Sequence, residues 1–412
     1  MLQFINLLFL IFTFSMVSTK NNVCPSDLDY YTIDLNLNCW YDPDVDASIP
    51  EIINNHGFNS KSYNVTTWDG YILEIFRIPS KLNETVSKPK SPILLFPGLL
   101  RDARCMLILG EDSPAIYYAK QGYDVWIANR RGTEYSNHIK YTKDDKEFWN
   151  FSFHEMGSID VPTIVEKVAE VSKQPGNIIY IGHSMGTTAS YIYCTLNSSH
   201  CANNLKAIIS LAPIAKINHT KTPLLHIISL LESEIKVALN TLGIHRLEID
   251  WLFKICQGAP FTSICAGVIE FFTGLSEPNI FPRIMPIFSA HGNTPASVKV
   301  ITHYGQIIKN QGKFRQYDYG LLKNLEKYQS ILPPTYNLFD IPVNVTLIYA
   351  NYDLLSSKTD VEDLYSNLHP DRRFIVEIPR NGSAKYLSHM DFFLAANIEE
   401  VLYPEITNAL VK

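Results

Sequence analysis

Residues 177–193 read NIIYIGHSMGTTASYIY, and this stretch decides the fold. Four apolar residues, Ile178 to Ile181, have the branched character of a buried strand. Gly182-His183-Ser184-Met185-Gly186 then gives a serine between two glycines, and TTASYIYCTL continues as a helix. Strand, tight turn and helix form the setting in which a serine is held with strained backbone angles. Gly182 and Gly186 are expected there because side chains would collide as the strand and helix approach one another. The helix start would aim backbone N–H groups, and a partial positive charge, at a developing oxyanion.

The surrounding sequence supplies matching strands. A hairpin is expected over KSYNVTTWDGYILEIFRIP, turning at Trp68-Asp69-Gly70. Short apolar runs follow at 92–98, 123–132, 205–213, 343–353 and 372–380. Runs of this kind mark strands buried on both faces of a parallel sheet. Helical patterns over 157–174 and 359–368 alternate with them, so the fold class is α/β, with ligands at the strand C-terminal ends. The alternation breaks between about 216 and 338, where helices and loops without sheet strands are expected. The domain reading is a leader over 1–19, core over 20–215, helical cap and lid over 216–338, and core again over 339–412. Within the insertion, Phe271-Phe272 and Trp251-Leu252-Phe253 read first as core.

A nucleophilic serine needs a base and an orienting carboxylate. On the α/β scaffold these follow in chain order, acid before histidine. Of twelve histidines, His369 and His389 lie beyond the strand VNVTLIYANYD. His369 precedes the last strand and reads as a loop or helix-end residue. His389 follows that strand in a loop, where the base is expected. Asp353 closes the acid strand and completes the triad Ser184, Asp353, His389. Asp360 reads as a helix cap and Asp391 as a structural hydrogen-bonding residue. For the oxyanion, backbone N–H groups of Leu99, after the turn at Gly98, and of Met185 are the candidates.

Composition limits the alternatives. The 412 residues are 46% hydrophobic and 18% charged, with net charge −6. No basic block points to nucleic acid, and no H-E-x-x-H or other metal motif occurs. The chemistry calls for neither metal nor other cofactor. MLQFINLLFLIFTFSMVSTK reads as a signal peptide, since its apolar run is short for the roughly 20 residues of a membrane span. Seven sequons, at Asn64, Asn83, Asn150, Asn197, Asn218, Asn344 and Asn381, agree with secretion and glycosylation. The cysteines fall in close pairs, Cys24/Cys39, Cys194/Cys201 and Cys256/Cys265. Short-range pairing would leave Cys105 free, but connectivity does not follow from sequence.

Taken together, EIINNHGF, TWDGYILEIFRIP, GYDVWIANRRGTEYS, EFWNFSFHEMGSIDVP, GHSMGTT, LAPIA, GKFRQYDYG, YDLL and HMDFF resemble the acid lipase family, which includes gastric and lysosomal members. The resemblance runs from about residue 50 to the C-terminus. It implies an α/β-hydrolase core with a mostly parallel central sheet and an inserted helical cap. The implied reaction is hydrolysis of acylglycerols or sterol esters through a serine acyl-enzyme, at an oil–water or membrane interface, in a secreted or lysosomal protein. It also implies a disulfide between Cys256 and Cys265, while a third cysteine expected nearby is replaced by Thr273. One departure stands at the oxyanion loop, where Pro97 occupies the position of the family's histidine. Two rival readings are a carboxylesterase for short soluble esters and a non-catalytic lipid-binding member of the fold.

Overall fold

The computed structural model describes residues 20–80, 90–249, 253, 255–257, 261–276, 281–291, 294–380 and 385–411. The leader over 1–19, the Trp251-Leu252 pair and the sequons at Asn83 and Asn381 lie outside the described residues. Eleven strands are found among them: β1 (Lys61–Thr66), β2 (Tyr71–Ile78), β3 (Ile93–Phe96), β4 (Val125–Ile127), β5 (Ser136–His138), β6 (Ile178–His183), β7 (Leu205–Leu211), β8 (Arg246–Leu247), β9 (Ala296–Ser297), β10 (Asn344–Ala350) and β11 (Arg373–Ile378). Nine of these form one sheet in the order β1-β2-β4-β3-β6-β7-β10-β11, with β5 paired to β2. From β4 to β11 every pairing is parallel, and β1, β2 and β5 add an antiparallel edge.

Alternation along the central strands divides their side chains between two cores. Ile93 and Leu95 of β3 join Ile179 and Ile181 of β6 on one face. Leu94, Phe96, Ile178 and Tyr180 belong to the other. A period of two with both faces covered yields the unbroken apolar runs seen in the sequence. Edge strand β1 instead exposes Lys61, Ser62, Asn64 and Thr66, polar residues that blunt an open sheet edge.

The polypeptide between β7 and β10 contains six helices of eight or more residues among those described. They are Pro223–Leu230, Glu232–Thr241, Phe261–Thr273, Phe281–Ala290, Val298–Lys309 and Leu321–Tyr328. The expectation of no strands here is corrected by β8 and β9, an antiparallel ladder outside the main sheet. Two residues are too few to show a period. The reading of Phe271 as core is also corrected, because its side chain is exposed. Cys24–Cys39, Cys194–Cys201 and Cys256–Cys265 are all disulfides, and Cys105 is a buried free thiol. The N-terminal disulfide loop docks on the insertion, where the Tyr30 hydroxyl donates to the carbonyl of Pro282 at 2.5 Å.

Candidate active site

β6 delivers Ser184 to the sheet's C-terminal edge, and the helix Met185–Leu196 begins at the next residue. Ser184 has φ +52° and ψ −119°, a strained conformation for an L-residue that its surroundings impose. Its N–H donates to the carbonyl of Leu211 on β7 at 2.9 Å. The two flanking glycines permit this turn. A Cβ on Gly186 would stand 2.5 Å from the carbonyl oxygen of Phe96, and one on Gly182 would stand 2.8 Å from the backbone of Gly186. Backbone atoms cannot move aside as a flexible side chain can, so a methyl group at either position must push strand and helix apart.

The three side chains selected by chain order converge. Ser184 Oγ lies 2.8 Å from His389 Nε2, and His389 Nδ1 lies 2.8 Å from Asp353 Oδ2. The other carboxylate oxygen, Oδ1, accepts the N–H groups of Leu355 and Ser356, both at 2.8 Å. Asp353 and His389 are buried. With the carboxylate acceptor-only, the imidazole proton sits on Nδ1, and Nε2 is free to accept from the serine hydroxyl.

Gly98 closes the site from β3. A Cβ there would lie 3.1 Å from Ser184 Cβ, so the loop after β3 runs directly against the serine. Buried Arg130 holds this loop: its Nε donates to the Gly98 carbonyl at 3.4 Å, and its Nη2 to Thr294 Oγ1 at 3.0 Å. Thr294 N–H in turn donates to the carbonyl of Leu100. In a trans peptide the N–H points opposite to the C=O. Anchoring the Gly98 carbonyl therefore fixes the direction of the Leu99 N–H. Met185 opens its helix, where the first N–H groups have no partner one turn back.

Sequence reasoning did not identify Arg130 or His183. His183 Nε2 donates to the backbone carbonyl of His389 at 2.9 Å, tying the loop that bears the imidazole to the serine turn. Burial, followed by the neighbouring His389, pushes its pKa well below the usual histidine value, so it is neutral. Both residues act on carbonyl groups, a role that leaves no spacing signature. The cap expectation for Asp360 is corrected. Ser357 caps that helix, while Asp360 lies three residues inside and accepts from the backbone of Asn218 and His219. His369 caps the short 3-10 turn Pro370–Arg372, its Nδ1 accepting from Asp371 N–H at 3.3 Å.

The insertion also reaches this site. The Thr273 carbonyl accepts the N–H groups of Leu354 and His389, both at 3.2 Å. Asp391 accepts from Ser388 N–H at 2.5 Å and from Ser276 Oγ at 2.9 Å. Burial raises the Asp391 pKa from 3.8 to about 6. Between those values the folded chain holds a proton that the unfolded chain has released. Its stabilising contribution is complete below the ordinary carboxylate value and is lost as pH rises through about 6, a change of about 3 kcal/mol. Asp391→Asn is expected to remove this decline, read as the urea midpoint at pH 4, 5, 6 and 7. A variant keeping the wild-type slope would sink the assignment.

Comparison with known proteins agrees with this architecture. Residues 49–108 match the partial alpha/beta-hydrolase lipase region, and residues 91–231 match the alpha/beta hydrolase fold. The chain is 31% identical to a putative lysosomal acid lipase/cholesteryl ester hydrolase of Crotalus adamanteus, over 90% of this chain and 92% of that one. It is 30% identical to human gastric triacylglycerol lipase, over 89% and 92% of the two chains. Among solved structures, a soluble variant of monoglyceride lipase from Saccharomyces cerevisiae shares the fold, with TM-score 0.51 and 14% identity over 90% of this chain and 97% of that one. The chain belongs to the acid lipase family of α/β hydrolases and is an ester-hydrolysing enzyme.

Proposed function

We propose that this enzyme is a lipase in which Ser184, His389 and Asp353 hydrolyse neutral-lipid esters, with triacylglycerols first and sterol esters second. Ser184 Oγ attacks the ester carbonyl while His389 Nε2 takes its proton. The N–H groups of Leu99 and Met185 receive the oxyanion. Collapse releases the alcohol, protonated by His389, and leaves an acyl-serine. Water, deprotonated by the same imidazole, then frees the fatty acid. The carrying observation is the unbroken hydrogen-bond chain from Ser184 through His389 to Asp353.

Preference for lipid over short ester is supported by the surface of the insertion, which we read as the cap and lid. The helix Phe261–Thr273 buries Cys265, Ala266 and Ile269, yet exposes Phe261, Ile264, Val268 and Phe271. Their spacing of three or four residues makes one apolar stripe. Leu224, Ile227 and Leu231 continue the pattern on the helix Pro223–Leu230 and the residue after it. An exposed apolar stripe on a helix that ends at Thr273, whose carbonyl accepts from His389 N–H, fits an oil–water or membrane interface. Names of the relatives point the same way, since they include a gastric triacylglycerol lipase and a putative cholesteryl ester hydrolase.

Changing Ile264 and Phe271 to Asp tests this reading. The ratio of triolein to p-nitrophenyl butyrate turnover is expected to fall about tenfold or more, because each side chain loses about 1.5–3 kcal/mol of apolar burial at the interface. An unchanged ratio would favour the soluble-ester reading. For localisation we infer a secreted or lysosomal protein. Three disulfides fit an oxidising compartment, and the five described sequon asparagines are exposed or part-exposed, as glycan acceptors must be.

A further inference from the structure

A cleft of about 390 Å³ opens where the insertion meets the segment after β5, and none of its lining residues belongs to the triad or the oxyanion loop. Its walls carry Lys146, Lys236, Lys299 and Lys323 against one carboxylate, Glu147. That balance is opposite in sign to the chain as a whole, whose net charge is −6. The lysines come from four separate segments and meet around Tyr317 and Tyr319. Lys236 Nζ lies 4.8 Å from the Tyr317 ring centre, and Lys299 Nζ lies 5.3 Å and 5.1 Å from the two rings. Lys327 approaches from outside, donating to the Tyr319 hydroxyl at 3.1 Å.

Lys299 is the fixed charge of the cleft. Burial lowers its pKa, but Glu155 at 3.7 Å and the tyrosines outweigh it and carry the value above that of an ordinary lysine. Among the described residues, neither Lys236 nor Lys323 has a carboxylate within ion-pair distance. On the helices that carry these lysines, Val237 follows Lys236 and Leu322 precedes Lys323, and both apolar side chains stand exposed.

We propose that this cleft binds the phosphate headgroup of an anionic lipid, giving the enzyme a second hold on the lipid surface away from its serine. Lysines without a carboxylate partner, each next to an exposed apolar residue on its helix, match such a surface, whose phosphates meet the ammonium groups while its acyl region receives the apolar neighbours. The volume suits a headgroup, since small-ligand sites span roughly 300–1,000 Å³. A soluble phosphate ester shares the phosphate but leaves Val237 and Leu322 uncovered. The inference extends the lipase reading but does not depend on catalysis by Ser184.

Asn150 stands on the cleft wall, so the proposal requires this sequon to be unmodified. The test uses the full-length protein as it is secreted, and a glycan found on Asn150 by peptide mass spectrometry would overturn the proposal. Flotation with phosphatidylcholine vesicles is compared with and without phosphatidylglycerol, for wild type and the double variant Lys236→Gln, Lys323→Gln. Wild type is expected to prefer the anionic vesicles. The variant is expected to lose about fivefold in affinity for each lysine, with unchanged turnover of a short soluble ester. Equal binding to both vesicle types, or a preference that survives the double change, would overturn the proposal. Titration with glycerol 3-phosphate separates the sources: lysine-dependent binding there without any vesicle preference would overturn the lipid as ligand.

Discussion

Ser184→Ala is expected to lower kcat toward p-nitrophenyl butyrate by about 10⁴-fold to 10⁶-fold, the range seen when a triad nucleophile is removed elsewhere. What remains would come from the oxyanion donors and from binding. The fold should be retained, because alanine tolerates the Ser184 turn no better and no worse than serine does. Loss of the hydrogen bond to His389 changes stability by about 1 kcal/mol. A second variant separates chemistry from strain. Ser184→Gly is expected to be equally inactive yet more stable than Ser184→Ala, by about 1 kcal/mol, since φ +52° costs glycine little. Thermal unfolding of the two variants at one pH checks the order.

Asp353→Asn is expected to cost about 10⁴-fold in kcat with the site geometry retained. The reason lies in the partners of the carboxylate. Oδ1 accepts two backbone N–H groups, so the amide oxygen of asparagine must take that place. Its NH2 then faces His389 Nδ1, at the position now held by Oδ2. The imidazole must accept there and carry its proton on Nε2 instead. In that tautomer Nε2 donates toward Ser184 and cannot take the hydroxyl proton. Pre-steady-state acylation measured from pH 5 to 9 checks this, since the loss should appear in the acylation step. A drop of less than tenfold would show that Asp353 does not set the tautomer.

The central strands were legible because both faces of the sheet are covered, which leaves unbroken apolar runs at 93–96, 178–181 and 207–209. Chain order selected Asp353 and His389 because the parallel sheet brings successive strand ends to one edge. Other features had no local signal. β8 and β9 are too short for a period, and Ser357 outcompetes Asp360 as cap through geometry that composition does not reveal. Arg130 and His183 hold backbone carbonyls rather than fitting a motif. The insertion was harder still. An apolar residue such as Phe271 looks the same in sequence whether it packs inward or faces solvent.

Labelling with a fluorophosphonate tests the central claim most directly. The reagent phosphonylates a serine whose hydroxyl is activated by its own base, and peptide mass spectrometry locates the adduct. The account predicts one adduct, on Ser184, formed as activity is lost, and slowed at least a thousandfold in Asp353→Asn. An adduct on another serine accompanying the loss of activity, or full activity after Ser184 is labelled, would contradict it.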